Sequence, residues 1–555
     1  MSPERPLVPA AVSRGRRGAV VAPHHLATSA GLHVLRIGGS AVDAAIATNA
    51  VLAVVMPQAC GLGGDAFWLI WDERSKRQTA LNGSGRAPAG ADAAALRRSG
   101  LERLPLRGPL SVTVPGAVGS WADAHEAYGR LSPGQVLGPA IDLARDGFPV
   151  DEGFAAAVER TTRILATELQ DGGRTWGSEF RPHGRPWRPG EVVRRPAVGR
   201  TLERLAEAGL ADFYEGRVAD SIARCLAEAG SAIAPDDLER HTCEWVEPIS
   251  TTYRGVTATT HPPNSQGVVA LELLNILEAF DPPLPSVFGP DGVLDPGWIH
   301  LGIEASKLAY ADRDRFLTDP AFREVPVDDL LDKARARGLA QMIDPARAAT
   351  PPVATGPRGG GTVYLGTVDG DGNAVSLIES NYMGFGSGVV DPETGIHFQN
   401  RGSYFSLDPD HPNLLEGGKR TLHTLMPGML LRDGRPWVVV GSMGGDAQPQ
   451  IHAQVVSALV DGAVDVGTAV AAPRWFVEPP AHFAPPVEVR AEPRFARGVL
   501  EALEALGHPV EQVASFDSGL GHCHAIELVG GGPAADDGSL AAATDPRSNG
   551  LPETW

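Results

Sequence analysis

Through the first two thirds of the chain, apolar residues recur mainly at helical spacing, whereas after residue 361 they gather in strand-length runs separated by glycine- and aspartate-rich turns. The most apolar run, Ala41 to Met56, predicts a core helix. Ser40 with Asp43 three residues later forms a capping-box start, and Pro57 closes the segment. Helical spacing also marks Ala122 to Asp146, Arg200 to Gly230, Ile299 to Arg315 and Asp328 to Met342, while the tryptophan- and proline-rich stretch Arg174 to Pro196 reads as a surface excursion. Further on, Thr362 to Val368 reads as a strand, Asp369 to Asn373 as a turn and Ala374 to Ser380 as the returning strand. A strand pair (Leu425 to Leu431, Trp437 to Ser442), a helix (Gln448 to Val460) and two later strands around Val487 and His524 follow. Strands followed by helices able to cover them suit a layered α+β sandwich. No internal repeat interrupts this order.

Between the two textures lies Asp344 to Gly361, with four prolines, four glycines and no hydrophobic periodicity, which describes an exposed connector and processing site. It ends in Gly359-Gly-Gly-Thr362. A threonine placed after flexible glycines and at the head of a strand is a candidate new N-terminus. Once the Gly361–Thr362 bond is cut, the freed amine, with an ordinary pKa of roughly 7.7 to 8.0, lies beside the hydroxyl of the same residue and can accept its proton near neutrality. Gly361, lacking a Cβ, tolerates the geometry that attack on its own carbonyl requires. The plainer reading is a loop entering a strand, and the neighbouring sequence decides between the two.

Composition narrows the function classes. A net charge of -19 and a pI of about 5.3 argue against nucleic-acid binding, which demands a basic face. Cys60, Cys225, Cys243 and Cys523 lie far apart and read as reduced thiols. Arg16-Arg17 is followed by no sustained apolar region, and the Ala41 to Met56 run is too short for a membrane span. The expectation is a cytoplasmic protein without membrane partners. No G-x-S-x-G, H-E-x-x-H or P-loop motif occurs. In His522-Cys523-His524, strand alternation puts both histidines on one face, so a structural strand is the simpler reading than a metal site; His24-His25 reads as a polar loop pair.

Gly38-Gly-Ser-Ala-Val-Asp-Ala-Ala45, Gly61-Leu-Gly-Gly-Asp65, Val114-Pro-Gly-Ala-Val118, Glu304 to Arg313 (EASKLAYADR), GGGT ahead of VDGDGNAVS and Gly441-Ser-Met-Gly-Gly445 occur in one order over nearly the whole length. In this set the chain resembles the gamma-glutamyltransferase family of N-terminal-nucleophile hydrolases. The resemblance implies a four-layer αββα sandwich built from two autoprocessed chains, residues 1–361 and 362–555, that remain partners, with Thr362 as nucleophile and no cofactor or metal. It assigns the oxyanion hole to Gly444 and Gly445, a turn whose two backbone N–H groups can converge. It makes Ser380 the hydroxyl supporting Thr362.

Departures from the family pattern bear on substrate. Arg401 and Tyr404 stand where the family holds a substrate α-ammonium, His423 and Thr424 replace a serine pair, and Tyr382 replaces a common asparagine. The family's carboxylate-binding arginine aligns with Ser84, and Arg86 lies two residues on. A cation at Arg401 repels an ammonium and suits a carboxylate; its plainer role is a structural ion pair. The resulting expectation is an amidohydrolase for small carboxylate-bearing amides such as oxamate. Alternatives are a gamma-glutamyl hydrolase or transpeptidase, a cephalosporin-type acylase, or a non-catalytic binding or scaffold homologue. A homo-oligomer of the processed pair is a further possibility.

Overall fold

Two seven-stranded antiparallel sheets form the centre of the computed structural model, which describes residues 11–169, 173–349, 361–477 and 489–555. The first sheet runs in the order Glu553–Thr554, Ala19–Val21, Gly361–Val368, Ala374–Tyr382, Asp65–Asp72, Arg77–Gly83 and Glu244–Val246. The second runs Val12–Gly15, Ser539–Ala543, His522–Val529, Arg435–Met443, Gly428–Arg432, Val256–Thr260 and Ile249–Tyr253. Each sheet therefore combines strands from before and after Gly361.

Alternating side chains divide the interior into three apolar layers. On Asp65–Asp72, Trp68 and Ile70 point to a helical layer, whereas Phe67, Leu69 and Trp71 point to the opposite sheet. Between the sheets lie Val21, Leu69, Trp71, Val368, Met429, Val439, Ile526 and Leu540. Gly441 belongs to this inner layer because a Cβ there would lie 2.1 Å from the Tyr364 ring. Covering the first sheet is Ala41–Val55, buried along all 15 residues and started by the expected Ser40/Asp43 capping box. Gly267–Leu277, Pro296–Phe316 and Gln448–Val460 cover the second sheet. The result is the expected four-layer αββα sandwich.

Several elements differ from the periodicity. Ala122 to Asp146 is two helices, Ala117–Tyr128 and Pro133–Asp146, because Ser132 caps a new start with Gln135. Arg200 to Gly230 is three, Pro196–Ala208, Asp212–Glu215 and Arg217–Ala229, interrupted at Gly209 (φ 98°) and Gly216. Asp328 to Met342 splits at Asp332, which caps Lys333–Ala340. The stretch Arg174 to Pro196 is only partly on the surface, since Trp176 and Phe180 from the helix Arg174–Phe180 enter the core. Each miss follows from a cap or a buried aromatic that a smooth apolar period conceals. Of the connector, residues 350–360 lie outside the described residues, as does Val487; the nearby strand is Val489–Ala491. No helix among the described residues is long and apolar enough to cross a membrane.

Candidate active site around Thr362

The strand Gly361–Val368 begins with a register irregularity: Gly361 faces Tyr382 while Thr362 faces Ser380. The Thr362 hydroxyl donates to Ser380 Oγ at 3.0 Å, and the Tyr382 backbone N–H donates to the same oxygen at 2.7 Å. Having accepted twice, Ser380 directs its single hydrogen to the Gly361 carbonyl oxygen, 2.5 Å away. One serine thus touches both the hydroxyl and the carbonyl that flank the Gly361–Thr362 bond. The position of Gly361 admits no side chain, since a Cβ would lie 2.7 Å from the Gln58 carbonyl oxygen and 3.0 Å from the Gly384 nitrogen.

Tyr382 carries this corner to the expected binding residues. Its ring lies under the Arg401 guanidinium, 4.3 Å from carbon to ring centroid, and meets the Tyr404 ring edge-on at 5.5 Å. Arg401 is 1 % exposed and donates through Nη1 to Thr424 Oγ1 at 3.1 Å. Among the described residues its buried Nε and Nη2, which form the parallel edge of the guanidinium, have no hydrogen-bond partner, and no ion pair to a carboxylate is formed. The plainer reading of Arg401 as a structural ion pair does not describe this environment. Burial lowers its pKa, with Tyr382 and Asp65 acting in the opposite direction.

Behind Arg401 stands a buried group whose most acidic member, Asp65, closes the Gly61 to Asp65 motif. Asp65 accepts from the N–H groups of Gly85 (2.9 Å) and Gly116 (3.2 Å) and from Gln399 Nε2 (3.0 Å). Burial pushes its pKa up to about 7 against these contacts and the charge of Arg401. His423 is held well below the usual histidine range by burial, then by Arg401 and His261. It is therefore neutral, its Nε2–H donating to Asp65 at 3.1 Å while Nδ1 accepts from the Leu425 N–H at 3.4 Å. His423 orients the site from behind, and Thr424 is the residue of the pair that contacts Arg401.

Gly444 and Gly445 follow the strand Arg435–Met443 and lead through a short turn into Gln448–Val460, as expected. Their φ values of 147° and 56° are ones that only glycine adopts easily. Asp446, next in line, accepts from Tyr404 Oη at 2.7 Å and from Arg313, while its carbonyl accepts from Tyr310. Arg313 and Tyr310 come from the EASKLAYADR segment, which thereby braces the glycine turn. Asp65, Gln399, Arg313 and Asp446 escaped selection as site residues; the signal available was their position inside or beside the quoted motifs.

Arg86 is not gathered with these groups. Its guanidinium pairs with Glu244 at 2.6 Å and Asp319 at 3.6 Å, sharing Glu244 with Arg420, so its charge is already matched. Ser84 bonds to Asn82 and Asn264. His522 and His524 share one strand face with Cys523 on the other, as alternation predicts: Cys523 packs in the helix-facing core and His524 stacks towards Tyr364. A separate cluster, His300, Glu304 and His508, has the composition of a metal site. Its groups are bonded to protein: His508 meets His300 Nδ1 at 2.7 Å, His300 Nε2 meets the Asp344 carbonyl at 2.8 Å, and Lys307 supplies the cation for Glu304 at 2.6 Å.

The sandwich and its closest-packed glycine and hydroxyl groups define an N-terminal-nucleophile hydrolase fold, shared with solved acylase and gamma-glutamyltranspeptidase structures. The chain belongs to the gamma-glutamyltransferase family of hydrolases and transpeptidases, the Gamma-glutamyltranspeptidase profile matching residues 27–555. It is 39 % identical over 538 residues to the glutathione hydrolase-like YwrD proenzyme of Bacillus subtilis, covering 97 % of this chain and 98 % of that one. It is 38 % identical over 541 residues to the oxamate amidohydrolase proenzyme of Klebsiella pneumoniae, covering 96 % and 97 %. The crystal structure of cephalosporin acylase from Bacillus halodurans superposes with a TM-score of 0.89 at 39 % identity, covering 100 % of this chain and 99 % of the other.

Proposed function

We propose that this enzyme cuts itself between Gly361 and Thr362 and then hydrolyses a small amide that carries a carboxylate next to its scissile carbonyl, as oxamate does. In the first step the Thr362 hydroxyl attacks the Gly361 carbonyl, whose oxygen Ser380 polarises; the resulting ester is hydrolysed and the Thr362 amine is freed. That amine then takes the hydroxyl proton as Thr362 attacks the substrate. The glycine turn at Gly444 and Gly445 supplies N–H groups to the oxyanion, ammonia leaves with a proton from the amine, and water releases the acid from the threonyl ester.

One observation supports the substrate class: the buried guanidinium of Arg401, fixed on one side by Thr424 and from below by Tyr382, keeps its Nε–Nη2 edge for a ligand. Two parallel N–H groups match the two oxygens of a carboxylate. An α-ammonium would meet this cation, while the nearby Asp446 is already engaged by Arg313 and Tyr404, so glutamyl substrates fit less well. The likeness to an oxamate amidohydrolase proenzyme agrees with this reading.

The test is ammonia release from oxamate and from a neutral amide of similar size. Loss of a charge-assisted contact of about 1.5 to 3 kcal/mol lowers kcat/KM for oxamate roughly ten- to a hundredfold in Arg401→Ala and leaves the neutral amide much less affected. Equal losses on both substrates would show that Arg401 serves the fold, and efficient glutamyl transfer by the native enzyme would overturn the substrate class.

A further inference from the structure

Gln266 lies outside every motif quoted above, yet it is fully buried at the head of the helix Gly267–Leu277 and touches both halves of the site. Its Nε2 donates to the Thr424 carbonyl at 2.9 Å and to the Gly445 carbonyl at 3.0 Å, and its Oε1 accepts from Arg313 Nη1 at 3.2 Å. Its backbone N–H donates to the His423 carbonyl at 2.8 Å. The amide has one orientation, because a flip would set its oxygen against two carbonyl oxygens and its N–H groups against a guanidinium.

We propose that Gln266 is a positioning residue that holds the carboxylate clamp and the oxyanion turn in one frame. This inference rests on the roles proposed for Arg401 and for Gly444–Gly445. Glycines have no Cβ to restrain them, so a turn made of two adjacent glycines keeps its N–H groups aimed through the hydrogen bonds on its carbonyls. The Ala447 N–H holds the Gly444 carbonyl at 3.0 Å, and Gln266 adds a side-chain restraint on the next peptide plane at the Gly445 carbonyl. The same amide nitrogen restrains Thr424, whose hydroxyl receives Arg401. Bound carboxylate and developing oxyanion are thereby kept at a set separation, the quantity that decides whether a short amide reaches both at once. Arg313 closes the frame, since it bonds Gln266 through Nη1 and also holds Asp446 in the same turn.

Two near-isosteric variants test this. Gln266→Met removes all the side-chain hydrogen bonds, and Gln266→Glu keeps an acceptor for Arg313 while removing the donors. Both are expected to be cut after Gly361 at the normal rate, because the Ser380 contacts do not involve Gln266. Both substitutions leave buried groups without this partner and lower the thermal midpoint; in the processed enzymes, assayed well below that midpoint, kcat for oxamate falls at least tenfold. The decisive measurement is a double-mutant cycle between Thr424→Val and Gly445→Ala. Their effects on kcat/KM are non-additive in the native background and additive in the Gln266→Met background, or in the Gln266→Glu background should the methionine variant not fold. Unchanged kcat, or the same coupling in both backgrounds, would overturn the proposal. Failure of the underlying site reading is separately visible as native-like activity in processed Arg401→Ala and Gly444→Val.

Discussion

At the residue scale, the hydroxyl hydrogen of Ser380 is committed to the Gly361 carbonyl, which in the proposed scheme gives this serine its first role in maturation. Removing a preorganised donor to a developing oxyanion costs about 2.7 to 4 kcal/mol. Ser380→Ala is therefore expected to slow cleavage on the order of a hundredfold or more, followed as the decay of the 58.2 kDa precursor on denaturing mass measurement. Thr362→Ala is expected to stay uncut, and the new N-terminus of the native protein is expected to be Thr362; any other start for the small chain contradicts the mechanism. That Thr362 heads a buried strand was legible from GGGT and the alternation after it. The grouping of Arg401 with Tyr382 and Thr424 was also legible, from neighbouring motif positions, whereas Asp65 was not, because it lies far upstream and only the fold brings it near the guanidinium.

At the element scale, two glycine positions carry separate consequences. Gly444, at φ 147° and with Ile451 Cδ1 3.0 Å from where a Cβ would stand, cannot become valine without displacing the turn. Gly444→Val is expected to be processed yet to lose on the order of a hundredfold in turnover, and near-native turnover would remove Gly444 from the oxyanion hole. Gly441 answers to packing instead. Gly441→Ala drives a methyl into the Tyr364 ring between the sheets and lowers stability by about 1 to 3 kcal/mol, read as a lower thermal midpoint. The hairpin, the strand pair near Met429 and the helix Gln448–Val460 were legible from period and turn residues, whereas the helix breaks at Ser132, Gly209 and Asp332 depend on caps that an apolar period passes over.

At the scale of the whole molecule, the proposed cleavage after Gly361 is expected to leave chains of 361 residues and the remaining 194 of the 555. Gly361–Val368 sits between Ala19–Val21 and Ala374–Tyr382, and Ala374–Tyr382 sits against Asp65–Asp72, so segments from both sides of Gly361 build the same two sheets. They are expected to separate only on unfolding. Protonation sets the acid limit. Eight described histidines, His24, His241, His261, His397, His452, His508, His522 and His524, are held at about 3 to 4, chiefly by burial. Below about pH 6.5 the unfolded chain takes up these protons and the folded one does not, so stability falls with falling pH. Burial acts oppositely on Asp65, Glu379 and Glu272, raised to about 7, 8 and 9, and these offset part of the slope. The lowered histidines, with His423 and His411 added, still outnumber the raised carboxylates, with Asp123, Asp369 and Glu553 added, so the thermal midpoint is expected to drop between pH 7 and pH 5; a midpoint that rises would show that the carboxylates dominate.

The sequence by itself determined the layered sandwich and the family, and it supplied the candidate processing point, because local features encode each of them: strand and helix periods, short motifs in a set order, and a glycine run before a strand. Tertiary structure alone decided that Arg86 is spent on Glu244 and Asp319, that the buried Nε–Nη2 edge of Arg401 is left without a hydrogen-bond partner among the described residues, and that Gln266 bonds the carbonyls of both Thr424 and Gly445. Whether a charge is matched or free depends on partners hundreds of residues away, and only the closing of the two sheets determines which of them come within bonding distance.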